Sequence, residues 1–221
     1  MMTNLLRHIC YSVIFISLIF SSIGCQRIYY GTMEKFGYHK RDLLVDRVKD
    51  ARDSQKEAKE QFETALDKFS AVLGFKGGSL EEKYRQLKEE YEKSEEKAEA
   101  VSDRIESVED VSEALFREWK SELKQYTNDS LRRSSERKLR QTRKQYGQLI
   151  SAMKRAEKKI GPVLSAFRDQ VLFLKHNLNA QAIASLRSEL FSVESDVAAL
   201  IQEMEVSISE ADVFIRSMAK G

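Results

Sequence analysis

The side chains with chemistry to offer in this 221-residue chain are few: two cysteines, three histidines and one concentrated run of basic residues. Cys10 lies inside an uncharged N-terminal run and Cys25 follows it, so the rest of the chain has no cysteine pair to oxidise and no thiol for catalysis. His39 and His176 are far apart, and neither stands in a Glu or His pattern with metal-ligand spacing. Gly74-Phe75-Lys76-Gly77-Gly78-Ser79 has glycines and a lysine but lacks the Gly-x-x-x-x-Gly-Lys-Ser/Thr order whose amides and lysine cradle phosphates. Carboxylates are abundant, yet their positions fit solvated helix faces and no nucleophile motif accompanies them. The sequence therefore predicts no catalytic group, no metal and no cofactor, which is a non-enzymatic protein.

The basic run consists of Arg132, Arg133, Arg137, Lys138, Arg140, Arg143 and Lys144, and continues through Lys154, Arg155, Lys158 and Lys159. Such a stripe suits an anionic ligand: lipid headgroups, lipopolysaccharide or nucleic acid. Tyr146 is the one aromatic within it, so base stacking has little support and nucleic acid is the weakest of the three. A plainer account competes. Glu81 to Glu122 carries fifteen acidic and eight basic residues, whereas Leu131 to Lys159 carries eleven basic residues against Glu136 and Glu157. Neighbouring helices of opposite charge pair inside a bundle, where such charges set partner choice and orientation.

The other chemical position is Cys25. Arg7 and His8 precede an apolar, uncharged run from Ile9 to Phe20, and Ser21-Ser22-Ile23-Gly24-Cys25 closes the segment, which is the layout of a secretory signal peptide. The uncharged stretch is shorter than the roughly 20 apolar residues of a spanning helix. Gly24-Cys25 resembles the bacterial lipobox, although Ser22 stands where an aliphatic residue is usual. That resemblance implies cleavage before Cys25, lipidation of its thiol and stable anchorage through more than one acyl chain. By resemblance to sorted lipoproteins, Gln26 in place of Asp implies the outer membrane as the destination. The expected location is the envelope of a Gram-negative bacterium, facing the periplasm, with a soluble periplasmic protein as the alternative.

These residues need a scaffold, and the periodicity supplies one. Leu44, Val48, Ala51, Gln55, Ala58, Phe62, Ala65, Phe69 and Val72 alternate spacings of four and three, a heptad seam with one polar interruption. Its helix is expected from about Met33 to Gly74, where glycine can cap it. Gly77-Gly78 permit a reversal, and Ser79 with Glu82 forms a capping-box pattern. A second seam runs Leu80, Tyr84, Leu87, Tyr91, Ser94, Ala98, Val101, Ile105, Val108, Ser112, Leu115, Trp119, Glu122, Tyr126. Thr127 to Ser130 then offers N-caps for a third helix, seamed from Leu139 to Phe167 and on through Val171, Leu174 and Leu178. Gly161-Pro162 predicts a kink or a fresh start within it. The last seam reads Ile183, Leu186, Leu190, Val193, Val197, Leu200, Met204, Ile208, Ala211, Ile215, Met218.

The predicted class is all-α: an elongated antiparallel bundle of about four long helices in coiled-coil hairpins. Residues 1–24 form the signal peptide, 25–32 the lipid anchor and tether, and 33–221 the helical domain. Trp119, Tyr84, Tyr91 and Tyr126 could line an aromatic box, but their seam spacing favours core packing. The segment Lys35 to Arg52, apolar at Phe36, Leu43, Leu44, Val45 and Val48, offers more apolar positions than one seam requires and is a candidate for partner docking. Exposed seams would instead pair two copies of the chain.

Gly31 to Arg52, continuing through Gln55, Lys59, Glu60, Gln61 and Phe62, together with Val171 to Ala180, resembles a bacterial envelope family known as domain of unknown function 2959. The resemblance covers essentially all of the chain after Cys25. It implies an exported or lipid-anchored coiled-coil protein and hands over no catalytic residues. The expected function is a membrane-anchored envelope lipoprotein acting as a structural or partner-binding module, with a protein partner in the envelope. The alternatives are a periplasmic holdase and a coiled coil associated with nucleic acid.

Overall fold

In the computed structural model, residues 40–73, 79–177 and 179–219 are described. They form four α-helices and no strand: α1 (Lys40–Leu73), α2 (Leu80–Glu122), α3 (Asp129–His176) and α4 (Ala180–Ala219). The chain divides between Leu43 and Leu44 into two units, Met1–Leu43 and Leu44–Gly221. The first enters the description only through the opening turn of α1. Cys25, the tether, His39, Gly74, the Gly77-Gly78 reversal and Leu178 lie outside the described residues.

Within the second unit the helices run up and down. Arg52, Gln55 and Lys59 of α1 meet Asp212, Ser207 and Glu205 of α4, so residue numbers rise on one helix as they fall on the other. Gln61 meets Glu90, Ser102 meets Glu157, and Arg155 meets Glu203, which makes every successive pair antiparallel. Short connections between long amphipathic helices allow little else. By the rise of an α-helix, the 48 residues of α3 span about 72 Å.

The seams form the core. All nine predicted positions of α1, from Leu44 to Val72, are buried, Gln55 among them. Phe69 stacks on Phe167 of α3 with ring centroids 4.6 Å apart, and Phe62 lies 6.2 Å from the same ring. The caps follow the sequence: Ser79 Oγ accepts the Glu82 amide at 3.3 Å, and Asn128 Oδ1 accepts the Ser130 and Leu131 amides at 2.9 and 3.1 Å.

Three expectations are corrected. Helix α3 passes through Gly161-Pro162 unbroken, so no fresh helix starts there. Proline forfeits one backbone bond, but Pro162 is exposed while Ile160, Val163 and Phe167 around it are buried, and their packing holds the helix together. Helix α2 ends at Glu122 rather than Tyr126, because the amides of Lys124 and Gln125 turn to carbonyls three residues back in a tightened last turn. In α4 the buried positions after Met204 are Ser207, Ala211, Phe214 and Met218, so Ser207 and Phe214 replace Ile208 and Ile215 in the seam.

Candidate functional site

The basic run falls on the α2–α3 hairpin and divides there into two parts. In its C-terminal part Lys154 and Arg155 are spent on pairs with neighbouring helices, while Lys158 and Lys159 are exposed. Lys154 donates to Glu109 of α2 at 2.9 Å and to Glu157 at 3.2 Å, and Arg155 pairs with Glu203 of α4 at 3.1 Å. Burial alone would lower the Lys154 pKa, but the bonds to the two carboxylates outweigh it and raise it. Arg143 lies over the Phe116 ring, 5.1 Å from its centroid, and the same ring meets Tyr146 edge-on at 5.4 Å. These contacts are the internal charge complementarity that alternating acidic and basic helices predict.

The N-terminal part is different. From Arg117 to Lys138 no residue is buried. Arg132 and Arg140 make only local exposed pairs, with Asp129 and Glu136 at 2.9 Å each, and such pairs contribute little. Arg133 and Arg137 are exposed and have no ion-pair partner among the described residues; Lys138 and Lys144 are exposed too. Trp119 Nε1 donates to Ser135 Oγ at 2.8 Å and fastens the two helices of the hairpin together. Beyond that bond, Tyr126 and Leu131 flank the turn at 41% and 57% exposure.

The structure does not assemble an aromatic box. Tyr84, Tyr91 and Trp119 are half-buried at separate levels of α2, and Tyr126 is exposed. Tyr91 donates to Glu95; burial first, and that bond second, push its pKa up to about 12. The docking segment is also used internally where it is described, since Leu43, Leu44 and Val48 are buried. His176 ends α3, exposed. Among the described residues no group of three His, Cys, Asp or Glu side chains could hold a metal ion. No described helix is long and apolar enough to cross a membrane.

Sequence reasoning missed one feature, a buried polar pair. Ser207 Oγ donates to Gln55 Oε1 at 2.7 Å, both residues are fully buried, and Gln55 Nε2 has no hydrogen-bond partner. Gln55 is legible as a polar step in the first seam. Ser207 is hidden in the sequence because Ile208 beside it is the more apolar choice.

No curated protein matches this chain. A family model matches residues 29–218, from the tether through nearly the whole of α4. Its family is described as a protein of unknown function, DUF2959. The chain belongs to the DUF2959 family.

Proposed function

We propose that this protein is a non-enzymatic lipoprotein of the Gram-negative envelope, held to the outer membrane by acyl chains on Cys25, whose helical bundle spaces or binds a partner in the periplasm. The observation that carries this reading is the order of parts: a signal-peptide layout ending in Gly24-Cys25, then a helical body whose core is built from its own seams. Carboxylates and lysines in the described helices are spent on helix faces and interhelical pairs such as Lys59–Glu205 at 2.6 Å and Lys97–Glu57 at 2.8 Å. The test is mass spectrometry of the mature N-terminus. The expected first residue is Cys25 carrying a diacylglyceryl group, and a chain retaining residues 1–24, or cut elsewhere, contradicts the proposal.

One observation favours the holdase alternative. Phe191 on α4 is 81% exposed, with Leu172 and Phe173 of α3 at 49% and 38%, which offers apolar surface at the bundle end away from the α2–α3 turn. Suppressed aggregation of an unfolded outer-membrane protein, lost in Phe191→Ser, would support it. Unchanged aggregation would exclude it.

A further inference from the structure

The two helices of the central hairpin outrun their neighbours. Near its C-terminus α4 still touches α3, where Ser217 Oγ donates to Gln145 Oε1 at 3.1 Å, but it ends at Ala219. Helix α3 extends a further 16 residues from Gln145 back to Asp129, about 24 Å at the rise of an α-helix. Leu44 of α1 stands eight residues before the Arg52–Asp212 pair, near the level where α4 ends. Within the second unit the hairpin therefore continues past the end of α4 as a two-helix finger, and Arg117 to Lys138 contains no buried residue.

The finger's composition leans basic. Arg117 to Lys138 carries seven basic and four acidic residues, and the turn presents Tyr126 and Leu131 between the basic flanks. Basic side chains around an exposed aromatic and an exposed leucine are the makeup of a bilayer-interface contact: cations meet anionic headgroups while the apolar tip enters the headgroup boundary.

We infer that the α2–α3 finger docks on an anionic phospholipid surface, that of the membrane to which the lipoprotein reading assigns Cys25. This deepens the lipoprotein reading and rests on it. Trp119 is the only tryptophan of the chain and lies in the finger, so energy transfer from it to a dansyl-headgroup lipid reports the finger alone. The acylated full chain, isolated from membranes, would be mixed with phosphatidylglycerol-containing vesicles and with pure phosphatidylcholine vesicles. The expected result is flotation with both, but energy transfer only with phosphatidylglycerol, falling as salt rises.

Arg133→Glu with Arg137→Glu should weaken the phosphatidylglycerol-dependent transfer by at least about tenfold, given a gain of roughly fivefold per basic residue near an anionic surface. Lys158→Glu with Lys159→Glu, exposed on the same helix but outside the finger, should leave it unchanged, with circular dichroism verifying the fold of both variants. Flotation with equal transfer in both lipids, with no transfer, or with equal loss in the two double variants overturns the finger contact and leaves the anchor standing. Transfer dependent on phosphatidylglycerol from a chain that does not float with phosphatidylcholine supports the finger and refutes the anchor. Release of the finger from vesicles by equimolar duplex DNA would assign the stripe to nucleic acid instead and overturn the proposal.

Discussion

Gln55 and Ser207 give the sharpest quantitative handle on the bundle. Both are fully buried, joined by one hydrogen bond of 2.7 Å, and the Gln55 carboxamide keeps an unpartnered Nε2. A buried polar group without a partner costs about 1–3 kcal/mol, whereas replacing both partners by apolar groups can be neutral or stabilising. Ser207→Ala leaves both ends of the carboxamide unpaired and should destabilise by about 1–3 kcal/mol. In Gln55→Leu the unpaired amide is gone, and Ser207 can turn its hydroxyl to the carbonyl four residues back. That variant should gain about 1 kcal/mol. The double variant Gln55→Leu/Ser207→Ala should gain about 1–3 kcal/mol, equivalent to a rise in Tm of roughly 2–4 °C per kcal/mol in a domain of this size. Urea denaturation followed by far-UV circular dichroism measures all four corners of the cycle. The reasoning predicts opposite signs for Ser207→Ala in the two backgrounds, or a harmful effect that vanishes once Gln55 is leucine. Strictly additive losses, with Gln55→Leu itself destabilising, would refute it and assign the pair a net stabilising role. Polar residues at single seam positions are known to fix helix register at a cost in stability, and this pair has the position for that task.

Other consequences concern packing, backbone and pH. Phe167 is fully buried against Phe62 and Phe69, so Phe167→Ala should cost about 3–5 kcal/mol in the same denaturation assay; a loss below 1 kcal/mol would mean the three rings do not form the core. Gly147 sits inside α3 with open space where a Cβ would stand, so Gly147→Ala should raise stability by about 0.5–1 kcal/mol, and a decrease would contradict the helix continuity drawn around it. Tyr91, raised from 10.0 to about 12, favours its protonated form in the folded state. Its contribution is complete below pH 10 and disappears as pH rises from 10 towards 12. The stability difference between wild type and Tyr91→Phe should accordingly shift in favour of the phenylalanine variant over that window, and a difference independent of pH would exclude the coupling.

How far the sequence could be read depends on what covers each helix. The seam of α1 is legible at every position because other helices cover it along its described length: Leu44 through Val72 are buried without exception. In α2 the same spacing continues to Glu122 and Tyr126, yet both are exposed. Periodicity tells which side of a helix faces a partner, not where the partner ends, and here α4 stops before the hairpin does. In α4 the apolar pattern departs from the buried face after Met204, because Ser207 enters the core through its bond to Gln55, a long-range match between two polar side chains that no local pattern displays. Pro162 misled in the opposite sense: a residue that breaks isolated helices is carried by the buried side chains around it. The basic stripe was legible as a run, but only the fold separates Lys154 and Arg155, which pair across helices, from Arg133 and Arg137, which do not.

The central claim is attachment through Cys25. Metabolic labelling of cells with a radioactive fatty acid, followed by membrane fractionation of wild type and Cys25→Ala, tests it most directly. The account predicts that label and outer-membrane residence accompany the wild-type protein and that the variant loses both. Label that persists in Cys25→Ala, or an unlabelled wild type recovered away from the membrane, would contradict it.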